Sequence, residues 1–147
     1  VRWEVLLADP RAAEQNDASA QLLVTVEGEG TAVRTLVTGD MEQESSKAWA
    51  GGHRSDAPPP PRVDVLKVAH HGARNGGLDV PTAVEARMNV VSVGADNDYG
   101  HPHAATVAGL ERIGPVLRTD RHGTLALVPG SDGSLHPETV RAPGGAG

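Results

Sequence analysis

The sequence predicts an α/β layered domain, or part of one. Three observations carry that prediction. Apolar runs come first in succession, and from Val63 onward they alternate with helix-like stretches. Two runs, Arg34 to Asp40 (RTLVTGD) and Val63 to Gly72 (VDVLKVAHHG), stop on a glycine and a side chain of metal-ligand type. The polar stretches 38–41, 69–77 and 94–103 all follow strand ends, where an α/β layer can place chemistry on a free loop held by a fixed strand.

Taken in order, Trp3 to Leu7 reads as a short strand and Ala8 to Ser19 as a polar loop. Leu22 to Glu27 is a second strand, rich in β-branched residues. Gly28-Glu29-Gly30 turns the chain, and Val33 to Thr38 returns as the partner in an antiparallel hairpin. Met41 to Ala50 holds helix formers with no breaker. Gly51 to Pro61 contains four consecutive prolines and reads as an extended, solvated connector whose length is free to vary. Val63 to Val68 is the most hydrophobic strand, interrupted by Lys67. After the glycine-rich loop His70 to Gly77, Asp79 is placed to cap a helix that starts near Pro81 and ends before Asn89. Val90 to Val93 is a strand and Gly94 to Pro102 a long polar loop. His103 to Ile113 is a helix with Val107, Leu110 and Ile113 turned inward, stopped by Gly114-Pro115. Val116 to Arg118 and Thr124 to Val128 are short strands around the charged turn Thr119 to Gly123, read as a solvated hairpin end. From Pro129 the composition is that of a tail, giving a domain over 1–128 and a flexible tail over 129–147.

A chain of 147 residues is enough for one modest core. With no Phe, that core is expected to be built from Val, Leu and Ala. A net charge of −6 argues against a broadly basic nucleic-acid surface, though metal ions could still hold a polyanion locally. The absence of Cys excludes disulfides and thiolate metal sites, so any metal must be held by His, Asp or Glu. No run of about 18 apolar residues spans a membrane. The chain opens on Val1 with a strand pattern already under way at Trp3, as a piece of a longer protein would; a non-ATG start is the alternative.

Chemistry concentrates at the strand ends. Asp40 follows Thr38-Gly39, and its two oxygens could each take a metal ion; the ordinary alternative is a helix N-cap. His70 and His71 point different ways from one turn. One can ligate a metal while the other bonds a carboxylate or substrate oxygen. In Tyr99-Gly100-His101-Pro102-His103, Gly100 and Pro102 restrict the backbone around His101, whereas His103 could be no more than a helix start. Asn16, Asp17 and Ser19 could orient a loop, and His53 and His136 lie in the connector and the tail. One Asp with one or two His does not complete a site: a hydrolytic centre needs three protein ligands per metal and an open position, and a two-metal centre needs more.

The segments Asn16–Ser19 (NDAS), Leu36–Glu42 (LVTGDME), Asp64–Arg74 (DVLKVAHHGAR), Ser92–His103 (SVGADNDYGHPH) and Arg118–Thr124 (RTDRHGT) occur together in this order. In this they resemble the C-terminal metallo-β-lactamase-like domain of the ComEC family of DNA-internalisation competence proteins. The resemblance runs from about Trp3 to Val128. HHG and TGD are shared by many metallo-hydrolases; YGHPH and RTDRHGT are more specific. The chain departs from the family in lacking the early HxDxDH motif and the membrane helices, and in carrying His122 and Ala73 where Asp and Ser are usual.

The resemblance implies the C-terminal half of a metallo-β-lactamase αβ/βα sandwich. Asp40 matches the carboxylate that bridges two metals, and His70 or His71 matches a late metal-binding histidine. The cofactors implied are two Zn or Mn ions, with further ligands from the N-terminal half. His101 would line the cleft as a catalytic donor beside Asp40, and Tyr99, His101, His103 and Lys67 form the candidate substrate-facing set. The activity implied is metal-dependent hydrolysis of single-stranded DNA during transformation. The parent would be a bacterial plasma-membrane channel with this soluble domain outside the cytoplasm. Hydrolysis of another ester, or an inactive module that binds DNA or a neighbouring domain, are the alternatives. An exposed half-sandwich is expected to self-associate.

Overall fold

The computed structural model describes residues 1–28 and 30–140. Strands β1 (Arg2–Leu7), β2 (Gln21–Gly28) and β3 (Thr31–Val37) form an antiparallel meander. Strands β4 (Val65–Lys67), β5 (Met88–Val91) and β6 (Val116–Arg118) then add in parallel, so the sheet order follows the chain from β1 to β6. Helices α1 (Gln43–Ala50), α2 (Asp79–Val84) and α3 (Ala104–Ile113) fill the three parallel crossovers.

An unreversed strand order has a consequence. Right-handed crossovers that always step the same way put every helix on the same face. The core is built that way. Leu23, Leu36 and Leu66 pair in one row across the sheet. Trp49 from α1 and Val80 and Val84 from α2 pack in the same cluster as that row. Leu110 of α3 packs on Val68 and Val91 at the next part of that face. The opposite face is bare at its β1 end, where Trp3 is 67% and Val5 51% exposed. No helix among the described residues is long and apolar enough to cross a membrane.

Strand ends are fastened to their neighbours by threonines. Thr38 Oγ1 donates to the Lys67 carbonyl at 2.8 Å, joining the ends of β3 and β4. Thr119 Oγ1 donates to the Val93 carbonyl and accepts from the Val93 N–H, both at 2.7 Å, joining the chain after β6 to that after β5. These contacts extend order past the last ladder bond into the loops.

Several expectations are corrected. The core includes Trp49 and Met41, both essentially fully buried, alongside Leu, Val and Ala. The proline connector is pinned: Trp49 Nε1 donates to the Pro58 carbonyl at 2.7 Å, and Arg54 pairs with Asp9 and Asp56. The ladder of β4 is shorter than the apolar run. Strand β5 begins at Met88 because buried Asn89 donates its amide to the Pro115 carbonyl and so belongs inside the sheet. Leu78, and not Asp79, holds the cap position of α2. The charged turn is a helical turn, α4 (Thr119–His122), between two sheets and not a hairpin end, since β6 and β7 (Thr124–Pro129) do not pair. The tail reading is overturned up to Val140: β8 (Leu135–Val140) pairs antiparallel with β7. The turn between them is set by Asp132, whose Oδ1 accepts from the Ser134 N–H at 2.9 Å. Residues 141–147 of the expected tail lie outside the described residues.

Candidate functional site

Asp40 lies just beyond β3 at the carboxyl edge of the sheet, on a turn that Gly39 makes possible. Gly39 has φ +56°, and a Cβ there would lie 2.6 Å from Ser19 Cβ. The turn is held from below and from the side. Buried Gln21 donates to the Thr38 carbonyl at 3.2 Å. Ser19 Oγ accepts the Asp40 N–H and Asp17 Oδ1 the Glu42 N–H, each at 3.1 Å, and Asn16 donates to Glu42 Oε1 at 2.9 Å. The sequence offers Asn16, Asp17 and Ser19 as residues that could orient a loop, with no signal of which loop. Tertiary contact makes them the clasp that sets the direction of Asp40, and only their motif-like order beside TGD hinted at it.

The two histidines sit on a left-handed turn. His70, His71 and Gly72 have φ values of +47°, +52° and +75°. Such angles are costly for residues other than glycine and persist only where the surroundings enforce them. The enforcement is visible. The His70 N–H donates to the Gly39 carbonyl at 3.0 Å, so the turns that carry Asp40 and the histidine pair lie side by side. The Gly72 carbonyl accepts the His103 N–H at 2.9 Å, and a Cβ on Gly72 would lie 2.7 Å from Pro102 Cβ.

This packing brings Asp40, His70, His71 and His101 together. His71 Nε2 is 3.6 Å from Asp40 Oδ1, beyond hydrogen-bond length. His71 Nδ1 is 2.7 Å from the Ser92 carbonyl. A carbonyl can only accept, so in the neutral ring Nδ1 carries the proton and the Nε2 lone pair faces the carboxylate. That is the arrangement of a metal-binding imidazole, whose second nitrogen donates to a backbone carbonyl. His70 Nδ1 is buried without a partner among the described residues. The His70 and His101 rings meet edge to face at 5.7 Å, and Tyr99, 85% exposed, stacks on His101 at 6.1 Å.

The remaining candidates stand differently. The His101 backbone is gripped by Asn97, whose side chain donates to the His101 carbonyl at 2.8 Å and accepts its N–H at 3.1 Å. Partial burial pushes the His101 imidazole below its ordinary range, with His70 and His71 acting in the same direction and Asp40 opposing them. His103 Nδ1 accepts the Ala105 N–H at 3.3 Å and so caps α3. Lys67 pairs in the ladder with Val37 and Val90; burial lowers its pKa, partly offset by Asp40. Arg118 and Asp120 form a two-bond ion pair, with the Nε contact at 3.0 Å.

The donor set falls short of a metal shell. Among the described residues no three His, Cys, Asp or Glu side chains converge in a way that could hold a metal ion. Asp40 and His71 fit as part of such a shell and not as the whole.

No protein family and no solved structure matches the chain. Among curated proteins, it is 31% identical over 118 residues to ComE operon protein 3 of Bacillus subtilis (strain 168). The match covers 79% of this chain and 14% of that protein, so the chain spans about a seventh of the relative's length.

Proposed function

We propose that this chain is part of the metal-dependent hydrolase domain of a ComEC-type competence protein, and that the domain cleaves single-stranded DNA during uptake. The observation that carries the reading is the pairing of Asp40 with the His71 Nε2 lone pair at the carboxyl edge of the sheet. The relationship to ComE operon protein 3 and the one-sided helix layer support it. A sheet with helices on one face is what half of an αβ/βα sandwich would be.

In this reading Asp40 and His71 contribute two ligands to a centre of Zn or Mn ions, and the remaining ligands come from another part of the full protein. The metals would supply a hydroxide near neutral pH and offset phosphate charge. This chain's own residues do the following. Ser19 and Asp17 hold the backbone turn that carries the Asp40 carboxylate, and the Ser92 carbonyl fixes the His71 tautomer. Asn97 sets His101 over the same edge, where a partly desolvated imidazole can exchange a proton with a phosphate or leaving oxygen. Tyr99 offers an exposed ring on which a base can stack. Lys67, partly buried at the end of β4 and within electrostatic reach of Asp40, would add positive charge beside the same edge. The parent would sit in the bacterial plasma membrane with this domain outside the cytoplasm.

The test is hydrolysis of labelled single-stranded DNA by the full-length protein with added Mn²⁺ or Zn²⁺. Asp40→Asn and His71→Ala are expected each to lower the rate by about 100-fold or more. Unchanged rates in both would overturn the assignment. Full-length protein that binds DNA without metal-dependent cleavage would favour the binding-module reading instead.

A further inference from the structure

A cavity of about 700 Å³ lies away from the histidine pair and His101, none of which lines it. It is a groove on the helix-bearing face between α1, the 74–79 turn, α2 and the start of α3. Its inner wall is Ala50, Leu78, Ala83 and Thr106, all shielded to some degree from solvent. The hydroxyl of Thr106 is already committed to the Ala73 carbonyl, so that wall presents apolar surface. Its mouth carries Lys47, His53 and Arg74, all exposed. Among the described residues none of these three side chains has a hydrogen bond or ion pair. Asp79 is the one carboxylate in the lining.

On a chain of net charge −6 these cations stand together over an apolar wall, with Asp79 as the one carboxylate beside them. Two cations and an imidazole over an apolar wall match a ligand with a flat apolar part and an anionic part. We infer that this groove binds a nucleoside phosphate unit, with the base against the apolar wall and the phosphate held by Lys47 and Arg74. The volume is within the usual range for a small-molecule site. Arg74 stands three residues after His71, so one loop serves both the groove and the edge where cleavage is proposed. The inference rests on the DNA-hydrolase reading for the source of the ligand: a strand being threaded past the site, or the mononucleotide released from it.

The test is fluorescence anisotropy of a labelled oligothymidylate with the metal-free chain, at low and at physiological salt, with thymidine monophosphate as competitor. The double variant Lys47→Glu, Arg74→Glu is compared with Arg2→Glu, Arg11→Glu, which makes the same charge change on exposed residues elsewhere. The groove variant is expected to lose about tenfold or more in affinity and to reduce the salt slope by about 1.4, the value for two lost phosphate contacts to a single strand. The Arg2, Arg11 variant is expected to retain most of the affinity. Equal weakening in both, or none in either, overturns the groove assignment and leaves the hydrolase reading untouched. No binding by the unsubstituted chain also overturns it. Loss in the groove variant alone, in a full-length protein that fails to cleave DNA, keeps the groove and removes the hydrolase. Competition by the mononucleotide marks the released product as ligand; binding of the oligomer without such competition marks the strand. Thermal unfolding of both variants confirms that each is folded.

Discussion

Gly39 and Gly72 hold the turns of Asp40 and of the histidine pair at van der Waals distance from their supports. Each combines positive φ with a hydrogen in place of a side chain that would collide, with Ser19 Cβ at 2.6 Å and Pro102 Cβ at 2.7 Å. Strain and overlap add, so Gly39→Ala and Gly72→Ala are each expected to destabilise the fold by about 1–3 kcal/mol, read from urea unfolding. A cost within a few tenths at either position would show that the turn relaxes freely. The glycines could be read from the sequence as turn residues. Their contact partners could not, because Ser19 and Pro102 lie far from them along the chain. The choice between His70 and His71 belongs to this scale too. Adjacent imidazoles look alike in a sequence. They differ only in that the Ser92 carbonyl takes the Nδ1 proton of His71, while His70 Nδ1 is buried without a partner among the described residues.

Among the elements, α4 shows a local reading reversed by its surroundings. Arg118, Asp120 and His122 look like a solvated turn, yet the Arg118 and Asp120 side chains are only 15% and 14% exposed. The Arg118 guanidinium holds the Asp120 carboxyl below its usual range, chiefly by hydrogen bonds; burial opposes this, and the charge of Arg118 adds to the lowering. The sign follows from linkage. A carboxyl whose pKa is depressed in the folded state stabilises the fold above its unfolded value of about 3.9. That contribution is lost as pH falls through the lower folded value. Asp120→Asn is therefore expected to cost about 2 kcal/mol at neutral pH. The cost should vanish in acid, below the folded-state pKa, and thermal melts of both proteins across that range check it. A cost that persists there would mean that packing, not charge, holds the turn. The strands that were legible are those with unbroken apolar runs. Strand β5 was misplaced because Asn89 reads as a loop residue until Pro115 is there to accept its amide. Strand β8 was missed because a Gly, Pro and Ser composition masks a ladder that only β7 completes.

The larger, six-stranded sheet is covered by helices on one face. On the other, Trp3, Val5 and Val26 stand 67%, 51% and 46% exposed on neighbouring strands, aligned by the pairing of Trp3 with Val24 and Val5 with Leu22. Contiguous apolar surface of this kind drives association. The chain expressed alone is expected to sediment as dimers or larger species. Trp3→Glu with Val5→Lys should return it to a monomer without loss of helical circular dichroism. A monomeric unsubstituted chain at high concentration would show that this face needs no cover.

What the sequence determined by itself is the α/β class, the sheet-forming meander, and the three loops that carry Asp40, the histidine pair and the YGHPH segment. Local patterning suffices there: an apolar run followed by glycine and a polar ligand-type residue marks a strand end wherever it is placed. The tertiary structure decided which of those loops touch, that His71 and not His70 faces Asp40, that Asn16, Asp17 and Ser19 form a clasp, and that a groove of about 700 Å³ opens among the helices. Each of these depends on strands joining in register and on crossovers that all step one way. The contacts involved are set by sheet order, and no local stretch of the chain encodes that order alone.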